Sequence, residues 1–423
     1  MIKSYLHVLM IVAILAAIGF IVYCIVNWRY GGNFSWYTGD TVNMQICLYG
    51  SGEATIDWGD GNVITYDLSS GKRPSSVNEN ESKCIHEFSK EYLRSKSDPG
   101  YNLIIRGEGV TKIRTFAGII TTLDVSGNSM LRELYCSNNR LTELNLSDNN
   151  ALKELECGGN QLKTLNISEN AALRFLDCEK NQLTGLDISK NFALTGLNCG
   201  LNRLTGIDLS NNTALVTLDC TGNQFVELDL SNNPALETLR CNANNLSTLN
   251  TGSNPMLKEL DCEWNLLTSL DMSTNTLLER LEIKGNPLTF LNIQNCAALA
   301  YFECINTQLT ELDLSGCTAI TNLNCRDNLI TSLDIRDLTT LSRLTCLRNE
   351  LNSLYVGNNP NLREINAHSN LLEADMLNEI MRALPASKES GNSRNKLEIE
   401  NNPGSKECDS EIARSKNWIV LIE

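Results

Sequence analysis

The sequence predicts a solenoid of parallel β coils, mostly short strand and turn. A transmembrane helix and a small β-sandwich-like module precede it, and an α/β cap closes it. Three observations predict this. From Leu131 to Asn370 the chain repeats every 21 residues, each unit reading LxxLxCxxNxL and then LxxLDLSxNxxL. Cysteines recur without slip at Cys136, Cys157, Cys178, Cys199, Cys220, Cys241 and Cys262. After Ile283 the column resumes at Cys304, Cys325 and Cys346, and Ala367 ends it. A strict period of this size marks stacked units, because one unit cannot bury its apolar side alone.

Within one unit, Leu152 to Leu173, the segment Leu152-Lys153-Glu154-Leu155-Glu156-Cys157 alternates with period two and predicts a short strand with Leu155 and Cys157 inward. Gly158-Gly159-Asn160 turns the chain, and Leu162 to Ile167 is a second short inward pattern. Ser168-Glu169-Asn170 turns it back, using side chains that bond to nearby backbone. Stacking at about 4.8 Å per coil makes a rod or arc of roughly 55–60 Å. The turn asparagines from Asn139 to Asn370 then align as a ladder whose amides satisfy buried backbone groups. Thr307 interrupts that column, so a local irregularity is expected there.

The cysteine column reads as a row of small buried apolar groups. Metal sites gather Cys-x-x-Cys or Cys/His clusters, which the column lacks. Neighbouring thiols project in parallel, which disfavours disulfides, so the ten are expected free.

This pattern resembles the leucine-rich repeat family, and its 21-residue period with a cysteine column is most similar to the cysteine-ladder internalins of bacterial surfaces. The resemblance covers about three fifths of the chain, the repeats alone. It implies a curved solenoid whose parallel sheet lines a concave face. It also implies adhesion or recognition at a cell surface. The C-terminus departs from that family in having no LPxTG-type wall-anchoring motif.

At 423 residues the chain has room for several domains. Its net charge of -15 argues against nucleic acid, which needs basic patches, and against adsorption to anionic lipid. The repeat absorbs ten of the sixteen cysteines.

Residues 1–27 are expected to form a signal anchor, entering the membrane through residues 6–27, because Val8 to Val26 is uncharged and long enough to span it. Cys24 invites a lipidation reading, but Tyr23 and Val22 suit that site poorly. The expected location is therefore the cell envelope, single-pass, with the repeats outside the cytoplasm. Secretion or lipid anchoring is the alternative if the N-terminus is processed. Residues 28–40 form a juxtamembrane linker with interfacial aromatics.

Residues 41–110 predict the β module and N-terminal cap, with strands at Val42–Tyr49, Ala54–Asp57, Cys84–Phe88 and Tyr101–Gly107. The Trp58-Gly59-Asp60-Gly61 string before a His-x-Phe strand is similar to PKD-type, immunoglobulin-like modules. Asp57 and Asp60 suit either turn chemistry or calcium, with turn chemistry favoured. Cys47 and Cys84 are the candidate disulfide in an oxidising compartment.

The solenoid is placed at 111–370, with Ile113, Ile120, Leu123 and Val125 already in its rhythm. Cys296 and Cys317 replace a turn asparagine in adjacent coils, free either to pair or to pack. Residues 371–423 are the capping unit. It comprises a helix over Ala374–Leu384 ended by Pro385, a strand at Lys396–Ile399, a short helix at Asp409–Lys416 and a last strand at Trp418–Ile422.

Only three histidines occur, and no zincin, Walker, dinucleotide or nucleophile-elbow motif is present. No catalytic residue, metal site or cofactor is assigned, and no enzyme activity is expected. The candidate ligand-binding residues lie on the strand face turned away from Leu and Cys. They are Tyr135, Glu156, Asp177, Asp219, Asp261, Glu282 and Glu303 in one column, with Tyr301 in the flanking column and Trp264 one turn position on. An exposed sheet face is polar for solubility alone. The aromatics favour an interface for a basic protein or a glycan. The expected function is thus a cell-surface adhesion or protein-binding protein. A structural envelope spacer is the first alternative, and a polysaccharide-associated or redox enzyme the second.

Overall fold

The computed structural model describes residues 41–70, 86–93, 100–116, 118–387 and 395–422. The expected membrane span, the linker at 28–40, Cys24 and Cys84 lie outside them. No helix among the described residues is long and apolar enough to cross a membrane. The chain divides into two compact units, 1–43 with 91–98 and 44–90 with 99–423. The second holds the features that follow, apart from the first three residues of the first strand and the last three of the fourth.

Seven strands precede the repeats: β1 (Thr41–Gly50), β2 (Glu53–Asp57), β3 (Val63–Asp67), β4 (His86–Leu93), β5 (Tyr101–Arg106), β6 (Val110–Thr115) and β7 (Ile120–Asp124). Four of them form one sheet in the order β3-β2-β5-β7. β1 instead pairs antiparallel with β6, Leu48 opposite Ile113. β6 then pairs in parallel with the first repeat strand, Glu133–Tyr135. The module and the solenoid therefore share one sheet. Buried Met44, Ile46, Leu48, Ile56, Trp58, Leu103, Ile105 and Ile113 fill this end. The periodicity misses β3 because the strand has no buried face; Val63 and Ile64 are exposed. Asp57 Oδ1 accepts the Gly59 and Gly61 N–H at 2.9 and 3.2 Å, and Asp60 accepts that of Asn62, which is turn chemistry.

Each coil contributes a three-residue strand, from Glu133–Tyr135 through Glu154–Glu156 to Glu364–Asn366, all parallel and in register. Leu134, Leu155, Leu176 and their successors point inward and are fully or nearly fully buried. Burying each such leucine contributes about 1.5–3 kcal/mol. The ten ladder cysteines are buried and free. The same position holds Ile283, Ala367 and Ile399, also fully buried, so the thiol packs as one apolar group among several that fit.

The ladder asparagines tie the coils together. Asn160 Nδ2 donates to Cys157 O in its own coil at 2.9 Å and to Cys136 O in the preceding coil at 3.0 Å. Its Oδ1 accepts Leu141 N–H at 3.0 Å, again from the preceding coil. The same three bonds recur at Asn181, Asn202, Asn223, Asn244 and Asn265. A second asparagine column, from Asn128 to Asn254, also bonds backbone carbonyls, but from Asn149 on both acceptors lie in the preceding coil, as Ile167 O and Asn170 O do for Asn191. Its Oδ1 atoms have no protein partner. This column asks less of its side chain than the ladder does, and buried Leu338 fills it with no donor at all. That explains Cys296 and Cys317, which are free and buried, each with Sγ directed at the carbonyl that an asparagine would take: Met272 O at 3.5 Å and Ile293 O at 3.3 Å.

The residue just before each ladder asparagine is left-handed. Asn138, Lys180, Leu201, Ala243 and Trp264 have φ of 57, 53, 52, 54 and 53°, with glycines at 159, 222 and 285 in the same column. At Thr307 a second left-handed residue, Gln308 (φ 62°), joins Asn306 (φ 53°). Thr307 Oγ1 there replaces the amide, donating to Cys304 O at 3.0 Å.

The second inward pattern of each unit is buried as expected but mostly does not pair between coils. Only Ser269–Asp271 with Phe290–Asn292, and Ser332–Asp334 with Ser353–Tyr355, make ladders. Period-two burial alone does not bring two backbones within bonding reach.

At the C-terminal end, α1 (Ala374–Ala383) buries Leu377, Ile380 and Met381. Its last carbonyls are met by Lys416 Nζ on Leu384 O at 2.8 Å, beside Trp418 Nε1 on Pro385 O at 2.7 Å. α2 (Glu411–Arg414) is shorter than the spacing predicts. Strands Lys396–Glu398 and Ile419–Leu421 add to the parallel sheet and extend it by two more members. Asn402 resumes the ladder, bonding Ala367 O, Ile399 O and Leu372 N–H.

Asn181→Ala leaves the buried Leu162 N–H unpaired and removes one of the two amide donors from Cys157 O and from Cys178 O, and is expected to cost roughly 2–3 kcal/mol in urea unfolding. Asn191→Ala leaves none unpaired, since Ile167 O and Asn170 O keep the N–H groups of Asn170 and Leu173, and should cost roughly 1 kcal/mol. The reverse order would contradict the assignment. Ala243→Gly relieves a left-handed Cβ and should stabilise by up to about 1 kcal/mol.

Candidate binding face

A parallel sheet in register stacks equivalent side chains in columns. Tyr135, Glu156, Asp177, Asn198, Asp219, Arg240, Asp261, Glu282 and Glu303 are successive Cα partners, each the third residue of its strand. Arg280 and Tyr301 pair likewise at the first position. Trp264 stands off the strand, at the left-handed turn. The predicted residues thus share the outer face of the sheet but fall into two groups.

The first group surrounds Tyr135. Its hydroxyl donates to Glu154 at 2.6 Å and Glu133 at 3.0 Å, while Lys112 and Arg114 lie 4.7 and 4.5 Å from its ring centre. Burial and the two carboxylates raise the Tyr135 pKa far above the ordinary range. Burial opposes charge at Glu133, but the hydrogen bonds from Lys112 (2.6 Å) and Tyr135 hold its pKa below the usual value. Asp177 has no cation bonded to it among the described residues; burial and the neighbouring Glu179 and Glu156 push it up to about 6.

The second group runs from Asp219 to Glu303. Arg240 pairs with Glu259 at 3.2 Å, and Arg280 pairs with Glu282 while stacking 3.9 Å from the Tyr301 ring centre. Burial and like charge push Asp261 up to about 7, and Glu263 beside it to about 7. Burial also raises Asp219 and Glu282.

Two rings lie against glycine. A Cβ on Gly285 would stand 2.5 Å from the Trp264 ring, and one on Gly196 2.7 Å from Phe175. Glycine lets both rings lie close to the backbone of the next coil. Phe175 stays 36% exposed, and Lys284 Nζ stands 5.3 Å from the Trp264 ring centre.

Alternation finds the column before each cysteine. It overlooks the residue after the cysteine, which also faces outward: Glu179, Glu263 and Lys284 belong to the face. Lys112 and Arg114 are missed because they precede the first full repeat. Among the described residues no group of His, Cys, Asp and Glu is arranged to hold a metal. His368 Nδ1 lies 2.9 Å from Ser369 Oγ, with no second histidine in the described coils. Cys47 is disulfide-bonded, and Cys84, proposed as its partner, lies outside the described residues.

No family model and no curated protein matches the chain. Solved structures do. The chain is 33% identical to the functional domain of InlJ from Listeria monocytogenes, which includes a cysteine ladder, with a TM-score of 0.56 over 69% of this chain and 70% of that one. YopM, a leucine-rich effector protein from Yersinia pestis, is 24% identical, with a TM-score of 0.55 over 71% and 83%. A leucine-rich repeat protein from Leptospira interrogans is 22% identical, with a TM-score of 0.53 over 71% and 78%. The latter two show likeness of fold alone.

The ladder thiols are buried, and burial pushes Cys136 up to about 12, so none is available as a nucleophile. Of the thirteen free cysteines described, only the partly exposed Cys408 should react with a thiol reagent in the native protein, and all thirteen after unfolding. Rapid native labelling at Cys178, Cys199 or Cys220 would contradict the packing.

Proposed function

The chain belongs to the leucine-rich repeat family, and on that premise we propose that it is a non-enzymatic recognition protein holding a protein partner on the outer face of its sheet. The observation that carries this reading is the pair of rings seated on glycine, Phe175 on Gly196 and Trp264 on Gly285, among aligned charges. Solubility asks only that such a face be polar. It does not ask for aromatic rings kept at the surface, which are the groups that dominate interface energetics.

Six of the twelve residues in the column from Tyr135 to Asn366 are acidic, so the partner is a basic protein. The site is centred on Asp219, Asp261, Glu282, Tyr301 and Trp264, with Tyr135, Glu156, Asp177 and Glu303 extending it. The protein works at the cell envelope, anchored through residues 6–27 with the repeats outside the cytoplasm, in adhesion. The uncharged stretch Val8 to Val26 supports the anchor. The Cys47 disulfide supports an oxidising compartment. An envelope spacer is the second reading, favoured by the regularity of the stack, since a rod needs no ligand.

The test uses the full chain, immobilised and offered purified basic and acidic proteins and a glycan array at physiological salt. Basic proteins should be retained. The triple variant Asp261→Lys, Glu282→Lys, Glu303→Lys should bind them at least about tenfold more weakly, with an unchanged far-ultraviolet spectrum. Equal binding by the variant would remove these residues from the site. Retention of glycans alone would change the ligand class, and retention of nothing would favour the spacer.

A further inference from the structure

Register pairing has an electrostatic consequence in the middle of the face. Asp261, Glu282 and Glu303 are consecutive Cα partners, so three carboxylates follow one another at one strand spacing, roughly 4.8 Å. Glu263 joins them, its backbone N–H donating to Asp261 Oδ1 at 3.2 Å. Of the cations in reach, one is spent on Glu282 and the others are engaged outside the strip. Arg240 is paired with Glu259, Arg280 with Glu282, and Lys284 stands over Trp264. Arg326, beyond Glu303, lies 3.6 Å from Asp327. Asp219 adds a further acid beyond Arg240, and the Tyr301 hydroxyl donates to Glu303. Beneath the strip lie the Cys241, Cys262 and Cys304 thiols, all neutral. Among the described residues no ion pair reaches Asp261 or Glu263.

We propose that this strip is a proton-responsive patch that holds a cationic partner at mildly alkaline pH and releases it as the pH falls below neutrality. The proposal rests on the reading of the outer face as the docking surface and adds its regulation. Its basis is geometric: like-charged, partly buried carboxyls are carried on Cα atoms that the sheet holds one strand spacing apart. Burial and mutual repulsion place Asp261 and Glu263 at about 7, the range in which the switch operates.

The sign follows from linkage. An unfolded carboxyl titrates near about 4, so between about pH 4 and 7 the folded chain binds more protons than the unfolded one. Stability from these groups is lowest above pH 7 and rises as the pH falls. Elsewhere on each coil, Asp187, Asp208 and Asp229 accept hydrogen bonds from Ser189, Ser210 and Ser231, which hold their pKa values below the usual range. Their opposite effect is confined to more acid pH, leaving the window between about 5 and 8 to the strip and to Asp177, which stands at about 6.

Two measurements on the full chain test this. The first is carboxyl titration by carbon-13 NMR in the absence of any ligand, alongside thermal unfolding between pH 8 and 5.5. Two carboxyls titrating near 7 and a midpoint that climbs on acidification are expected, with the two titrations lost and the climb reduced in Asp261→Asn, Glu263→Gln. Normal titration near 4 at both positions would overturn the proposal whatever binds the face. The second is binding of a lysine decamer. Affinity should fall about five- to tenfold from pH 8 to 5.5 in the native chain and less than about twofold in the double variant. Equal affinity at both pH values would overturn the switch and leave the docking surface standing. No binding at pH 8 would overturn both.

Discussion

The rest of the structure depends on one side chain used in the same way in coil after coil. A ladder asparagine bonds two carbonyls and one N–H, and two of these three groups belong to the coil before it. A slip of one residue would break all three and turn leucines to the surface. Register is therefore fixed at the turn, and the strand beside the turn inherits it. Three residues of strand per coil would be too little to hold register alone. The columns of charge on the outer face are thus a product of buried amide bonds about a turn away from them.

Much of the fold could be read from the sequence because burial and period coincide. Leu155, Cys157 and Asn160 each occupy a position where only one environment is available, and the chain repeats that demand in coil after coil. What escaped the reading lacked such a demand. β3 has no inward face, so nothing in Val63–Asp67 alternates against a core. The left-handed turn escaped because its residue type varies. Gly159 signals it, but Lys180, Leu201 and Trp264 adopt the same conformation under pressure from the amide that follows. The two strands read in the capping unit at 371–423 are there and join the sheet, but the asparagine ladder running on through Asn402 after a longer coil was not foreseen.

The candidate face was legible in part. Alternation about Leu and Cys places Glu156, Asp177 and Asp261 outward, and the structure has them there. The same logic applied one residue further would have added Glu179 and Glu263. Their ionisation was not legible, because it is set by groups 21 residues away that become neighbours only when coils stack. Nor was the seating of Trp264, which depends on a glycine in the next coil having no side chain to obstruct it. Such relations live between repeats, and a reading of one repeat at a time misses them.

The amide ladder is also directional. Asn160 reaches back to Cys136 and Leu141, Asn181 to Cys157 and Leu162, and so on towards the C-terminus. Each newly made coil therefore finds its bonding partners already laid down, and its contacts lie no further back than its immediate predecessor. A chain emerging from the ribosome or a translocation pore N-terminus first can wind onto itself like thread onto a spool, with only the latest coil exposed at any moment. Assembly then proceeds in the direction of synthesis and at its pace, without waiting for the far end of the molecule.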